Sequence, residues 1–210
     1  MRNNINTMEF TGEQLILGAT SKRVMNDHLA RYKFASGFVK GKKVLDAACG
    51  SGYGTRLLKK AGAEFVCGID KSKEAILYAQ RHYGLKGCEF KHGNVANLPF
   101  ENNFFDVVIS FETIEHLDEK TQNNFLKEVR RVLKENGIFI ISTPNKKILT
   151  PYKKKSDNPY HLKELYFKEL LELIKKHRYE IVDIRGQRIM HKIFTNLTIR
   201  RLIEKFEKNL

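Results

Sequence analysis

The stretch Val44 to Leu58, VLDAACGSGYGTRLL, joins an apolar run ending at Asp46 to glycines at 50, 52 and 54 and then to an amphipathic segment. A buried strand, a turn open enough for a ligand to touch the backbone, and a helix make the first unit of a parallel sheet covered by helices. The rest of the chain repeats that alternation. Short β-branched or aromatic runs at Lys43–Asp46, Phe65–Asp70, Glu89–His92, Asp106–Phe111, Ile138–Thr143 and Glu180–Arg185 read as strands. Tyr53–Lys60, Ser72–Tyr83, Thr121–Lys134 and Lys163–His177 read as helices between and after them, with Ser72 and Thr121 suited to capping. Ser21–Phe38 is a further amphipathic helix ahead of the first strand, Gly186–Phe194 fits a strand or a loop, and Thr198–Lys208 fits a terminal helix. The fold class is α/β with a Rossmann-like sheet.

With 210 residues and 41% hydrophobic content, the expectation is one well-cored domain. No apolar run approaches the roughly 20 residues that span a bilayer, and the opening MRNNINTMEF lacks an apolar signal core, so a cytoplasmic location is expected. Cys49, Cys67 and Cys88 show no paired metal or redox spacing and read as reduced core residues.

The glycine turn discriminates between ligands. A dinucleotide fingerprint needs G-x-G-x-x-G, but here Gly50, Gly52 and Gly54 alternate, and no Gly-Lys-Ser/Thr follows to make a phosphate loop. Asp46 lies four residues before Gly50, and a carboxylate at the mouth of the turn suits a cationic ligand better than a pyrophosphate. S-adenosylmethionine (SAM) carries a sulfonium and an ammonium. Twenty residues past Gly50 the second strand ends in Asp70, whose carboxylate suits two ribose hydroxyls. The third strand ends at Gly93-Asn94-Val95, where an Asn side chain suits an adenine amino group.

VLDAACGSGYG, GID, GNVANLPFENNFFDVVIS, FETIEHL and EVRRVLKENGIFIISTPN together resemble the successive motifs of class I SAM-dependent methyltransferases of the small type 11 kind, from Val44 to about Asn145, with a weaker continuation through NPYHLKELYFKEL. The resemblance implies a seven-stranded, mostly parallel sheet with an antiparallel last strand. It implies that Asp46, Gly50 and Gly52 hold the methionine end of SAM, Asp70 the ribose, and Asn94 with Val95 the adenine. Lys71 and Phe111 are set beside the cofactor, with Arg31, Tyr32 and His28 over its pocket; Tyr32 either closes on the methionine end or packs its helix. On this scheme residues 1–40 form a helical lid, 41–145 the SAM core, 146–162 a basic insertion, and 163–210 the remainder of the domain.

Glu112, Glu115 and His116 have the spacing E-x-x-E-H and, with His161, are the candidates for chemistry beyond SAM binding. Three readings stand. Glu115 and His116 organise the loop that covers SAM; His116 or His161 is a general base for a hydroxyl; or Glu112, Glu115, His116 and His161 hold a divalent cation, a set similar to that of methyltransferases acting on the terminal 2′-hydroxyl of small RNAs. The expectation is no metal.

Net charge is +14, and residues 146–210 carry 17 Lys and Arg against 8 Asp and Glu. KKILTPYKKK is the densest cluster, which admits either a solvated surface or an anionic partner. The resemblance favours a small-molecule, sugar or glycan hydroxyl as acceptor. RNA, held by the basic final third, is the alternative, although no separate RNA-binding module accompanies the lysines.

Overall fold

The structure, a computed structural model, describes residues 21–150, 153 and 156–187. These residues fall into two units, 21–180 and 181–187. The first holds five strands: β1 (Lys43–Ala47), β2 (Phe65–Asp70), β3 (Cys88–His92), β4 (Phe105–Phe111) and β5 (Leu133–Ser142). Its helices are α1 (Lys22–Ala35), α2 (Tyr53–Lys60), α3 (Lys73–Tyr83), α4 (Glu119–Val132), α5 (Lys146–Leu149) and α6 (Phe167–Lys176).

The strands pair in the order β3-β2-β1-β4-β5, and every pairing is parallel. β1 lies in the middle because its KVLDA run is apolar enough to be covered on both faces; Val44, Leu45 and Ala47 are fully buried. The neighbours follow the same rule, with Ile69 of β2 and Phe105 and Ile109 of β4 fully buried. Since all five strands run the same way, the turns after β1, β2, β3, β4 and β5 gather along one edge of the sheet. The chain reverses direction of travel between β1 and β4, and the crevice outside that switch point is where such sheets bind ligands.

Three expectations need correction. Glu180–Arg185 is irregular, and the described residues hold five strands rather than seven. Its alternating β-branched pattern supplies propensity, but a strand also needs a ladder partner, and no described strand pairs with it. The cap of α4 is Asp118, whose carboxylate accepts from the Thr121 backbone N–H at 2.7 Å, so the helix starts two residues before Thr121. α6 begins at Phe167, because residues 163–166 run alongside Asn145, with a bridge between Asn145 and Leu165. The segment 186–194 begins irregularly at Gly186 and Gln187; its remainder and Thr198–Lys208 lie outside the described residues.

β5 also starts earlier than the Ile138 read from sequence. Leu133 pairs with Phe105 and Ile138 with Val107, so Lys134–Gly137 loop out between two ladder contacts.

Candidate active site

The glycine turn after β1 is held by the next strand. Asp70, the last residue of β2, accepts from the Gly50 N–H and the Ser72 N–H, both at 2.8 Å, and so ties the first and second turns together. Each glycine answers a different neighbour. A Cβ at Gly50 would meet nothing within 4 Å, so this residue faces open space. At Gly52 it would stand 2.5 Å from the Ala79 Cβ and 2.7 Å from the Phe90 ring, and at Gly54 1.9 Å from Cζ of Tyr32. Gly50 therefore clears the crevice, whereas Gly52 lets the turn close on α3 and β3 and Gly54 admits the Tyr32 ring.

Asp46 is buried and accepts from the Thr55 hydroxyl at 2.6 Å and from the Tyr32 hydroxyl at 3.2 Å. Burial, with the Asp70 charge adding to it, pushes its carboxyl up to about 6 against the two hydroxyl bonds that favour the anion. The carboxylate thus acts on the crevice through Tyr32, whose ring sits edge-on to Tyr53 at 5.6 Å and to Phe111 at 5.1 Å. Beside it, Nη2 of Arg31 pairs with Glu112 at 3.4 Å. Arg31 Nη1 and the Tyr53 hydroxyl are buried donors with no acceptor among the described residues. His28 is held neutral, lowered to about 3 by burial and by the Arg31 charge.

These features fit SAM. Two buried donors without an acceptor suit its carboxylate, Gly50 clears space for it, and Asp70 stands at the strand end where the ribose is expected. At the third turn Val95 is buried, while the Asn94 side-chain oxygen Oδ1 accepts from the Ala96 N–H at 2.9 Å and shapes the turn. Lys71 is exposed and its backbone carbonyl meets Nε2 of His92 at 3.1 Å.

A second cluster lies past β4, where Ile114–His116 forms a short 3₁₀ turn. Glu115 is fully buried; one carboxyl oxygen accepts from the Thr143 hydroxyl at 2.9 Å and the other, Oε1, has no partner among the described residues. Burial, followed by the Glu112 charge, pushes Glu115 up to about 8. His116 Nδ1 lies 3.0 Å from the Tyr160 carbonyl, and His161 Nδ1 lies 2.8 Å from the Glu164 carboxylate. Both partners only accept, so each neutral ring carries its proton on Nδ1 and its lone pair on Nε2.

The two rings stand edge to face, 4.9 Å apart, and Glu115, His116 and His161 each bring one ligand atom to within 4.8 Å of the others. Glu112 does not join them. It accepts from the Ser142 hydroxyl at 2.7 Å and faces Arg31, so of the four residues in the divalent-cation reading three come together.

The later His reaches the cluster because the Lys163 N–H donates to the Glu115 carbonyl at 3.0 Å, folding the end of the insertion onto the β4 exit. Sequence reasoning missed Tyr53, Thr143 and Glu164. Only the three-residue step from His161 to Glu164 offered a local signal.

Residues 45–141 match the family model described as a methyltransferase domain. A probable S-adenosylmethionine-dependent methyltransferase of Mycolicibacterium smegmatis is 34% identical over 85% of this chain and 68% of its own length. One of Mycobacterium tuberculosis is 30% identical over 78% of this chain and 62% of its own. The chain therefore spans about two thirds of these curated relatives. A fatty-acid O-methyltransferase of M. smegmatis is 33% identical over 55% of this chain and 44% of its own length. Among solved structures, the [4+2]-cyclase SpnF shares the fold, with a TM-score of 0.64 and 24% identity over 79% of this chain and 61% of that one. Fold alone thus leaves the reaction open. With a sheet of this topology, a crevice that fits SAM and relatives of this similarity, the chain belongs to the class I SAM-dependent methyltransferases of the type 11 family.

Proposed function

We propose that the chain moves a methyl group from SAM to a hydroxyl oxygen of a small-molecule, sugar or glycan acceptor, with His116 or His161 taking the hydroxyl proton. The observation that carries this reading is the pair of imidazoles beyond β4, edge to face at 4.9 Å, each with Nδ1 on an oxygen that only accepts. A sulfonium is already a good leaving group, so an enzyme of this kind contributes chiefly alignment and, for oxygen, a base. The fatty-acid relative is an O-methyltransferase by name, which supports oxygen as the acceptor atom.

When bound, SAM supplies an electrophilic methyl group. On this reading, Asp70 holds the ribose hydroxyls, Arg31 Nη1 and the Tyr53 hydroxyl hold the methionine carboxylate, and Asn94 with Val95 borders the adenine. Tyr32 covers the methionine end and excludes water. Nε2 of His161 or His116 accepts the acceptor's proton as the oxygen attacks, and the Glu164 carboxylate stabilises the cation formed on His161. The test is His116→Ala and His161→Ala, with at least one lowering kcat while SAM affinity measured by calorimetry stays at the wild-type value. Wild-type turnover in both would refute the base.

One observation favours a second reading: the three ligand atoms within 4.8 Å and the unpartnered Oε1 of Glu115 also suit a divalent cation. Chelation separates the two. Turnover that survives EDTA supports the base; turnover lost to EDTA and restored by Mg²⁺ or Mn²⁺ supports the cation.

A further inference from the structure

We infer that Glu164 is a positioning residue: its carboxylate fixes His161 in the Nδ1–H tautomer, turns the Nε2 lone pair over to the site, and fastens the ring to the basic insertion. This rests on the reading that His161 takes part in the reaction. Glu164 is buried, and three donors converge on it. The Thr150 hydroxyl bonds one carboxyl oxygen, Oε2; the Ser156 hydroxyl and His161 Nδ1–H bond the other, Oε1. The donors come from positions 14, 8 and 3 residues before it, so one side chain gathers Thr150, Ser156 and His161 around itself.

With the Thr150 and Ser156 hydroxyls and the His161 ring all on its two oxygens, the Glu164 carboxylate is the acceptor in each of these contacts. An anionic carboxylate cannot donate. Nδ1 of His161 must therefore carry the proton, and the alternative tautomer would set a lone pair against negative charge. The Ser156 hydroxyl, 3.3 Å from the same nitrogen, binds carboxylate and ring from one side and limits rotation of the imidazole.

The same contacts explain how a residue far along the chain from the E-x-x-E-H turn is held opposite it. The backbone of Lys163, next to Glu164, donates to the Glu115 carbonyl, so the segment carrying His161 is fixed to the turn through both main chain and side chain. Ring orientation and proton position are then set by one residue outside the reacting atoms.

Protein labelled with ¹⁵N-histidine, observed by long-range ¹H–¹⁵N correlation, reads the tautomer of His161 directly and needs no acceptor. The expected wild-type result is the Nδ1–H form, assigned by its loss in His161→Ala. Glu164→Gln is expected to move His161 toward a mixture of tautomers and to lower kcat by at least about tenfold at unchanged SAM affinity. Glu164→Asp, which keeps the charge, should recover part of both, and SAM affinity serves as the check that each variant is folded. An Nε2–H wild-type ring, or a Glu164→Gln protein with wild-type spectrum and kcat, would overturn the inference. If His161→Ala turns over normally while the Nδ1–H signal is present in wild type, the reading of His161 as a participant has failed, and the positioning role falls with it.

Discussion

Asp70 accepts from two backbone N–H groups at the end of β2, the position where a ribose diol is expected. Asp70→Ala should weaken SAM by about 1.5 to 3 kcal/mol, the range for a hydrogen bond to a charged group, and calorimetry at wild-type affinity would remove Asp70 from the site. Glu115 gives a second test, one of stability. Its carboxyl titrates near 4.5 unfolded and at about 8 folded, so the native state keeps a proton that the unfolded chain has released. The stabilisation is complete below 4.5 and is lost as pH rises through 8, with a slope of about 1.4 kcal/mol per pH unit inside that window. Glu115→Gln should flatten that part of the stability profile measured by denaturant unfolding; an unchanged slope would mean that Glu115 is ionised in the native protein.

At the scale of elements, the glycine turn and α1 form one packed unit, since Gly54 exists beneath the Tyr32 ring and Gly52 against Ala79 and Phe90. Gly54→Ala and Gly52→Ala should therefore lower thermal stability in the absence of any cofactor. Gly50→Ala, open to solvent but at φ +53, should cost only about 1 kcal/mol of strain and weaken SAM binding instead. Equal stability loss in all three would contradict these assignments. β1, β2 and β4 were legible in the sequence because strands buried on both faces read as continuous apolar runs. Asp46, Asp70 and the E-x-x-E-H turn were legible because they follow those runs directly. The rest depended on contacts between distant segments. Glu112 was misplaced because the spacing does not reveal Arg31 and Ser142, which claim its two oxygens. Glu164 was missed because its contacts with Thr150, Ser156 and His161 form only in the folded chain, and Glu180–Arg185 was overread because propensity does not reveal that no described strand pairs with it.

For the whole molecule, the open question is what the excess of 14 positive charges serves. Lys153 pairs with Asp157 at 2.6 Å, with both side chains exposed, and contacts of that kind are screened and worth little individually. Lys153, Lys154 and Lys155 replaced together by Gln should change turnover modestly, and apparent acceptor affinity should fall only shallowly between low and physiological salt. A polyanion such as RNA would instead lose affinity steeply, by somewhat under one log–log unit for each phosphate contact, with a slope that collapses in the triple variant. The most direct measurement of the account as a whole is transfer of a labelled methyl group from SAM into separate pools of sugars and glycans, lipids and total RNA, with the product's methylated atom identified by NMR. The account predicts label on oxygen in a small-molecule or glycan product, lost in the His116→Ala, His161→Ala double variant while that variant still binds SAM. Label on nitrogen, label confined to RNA, or full turnover by the double variant would contradict it.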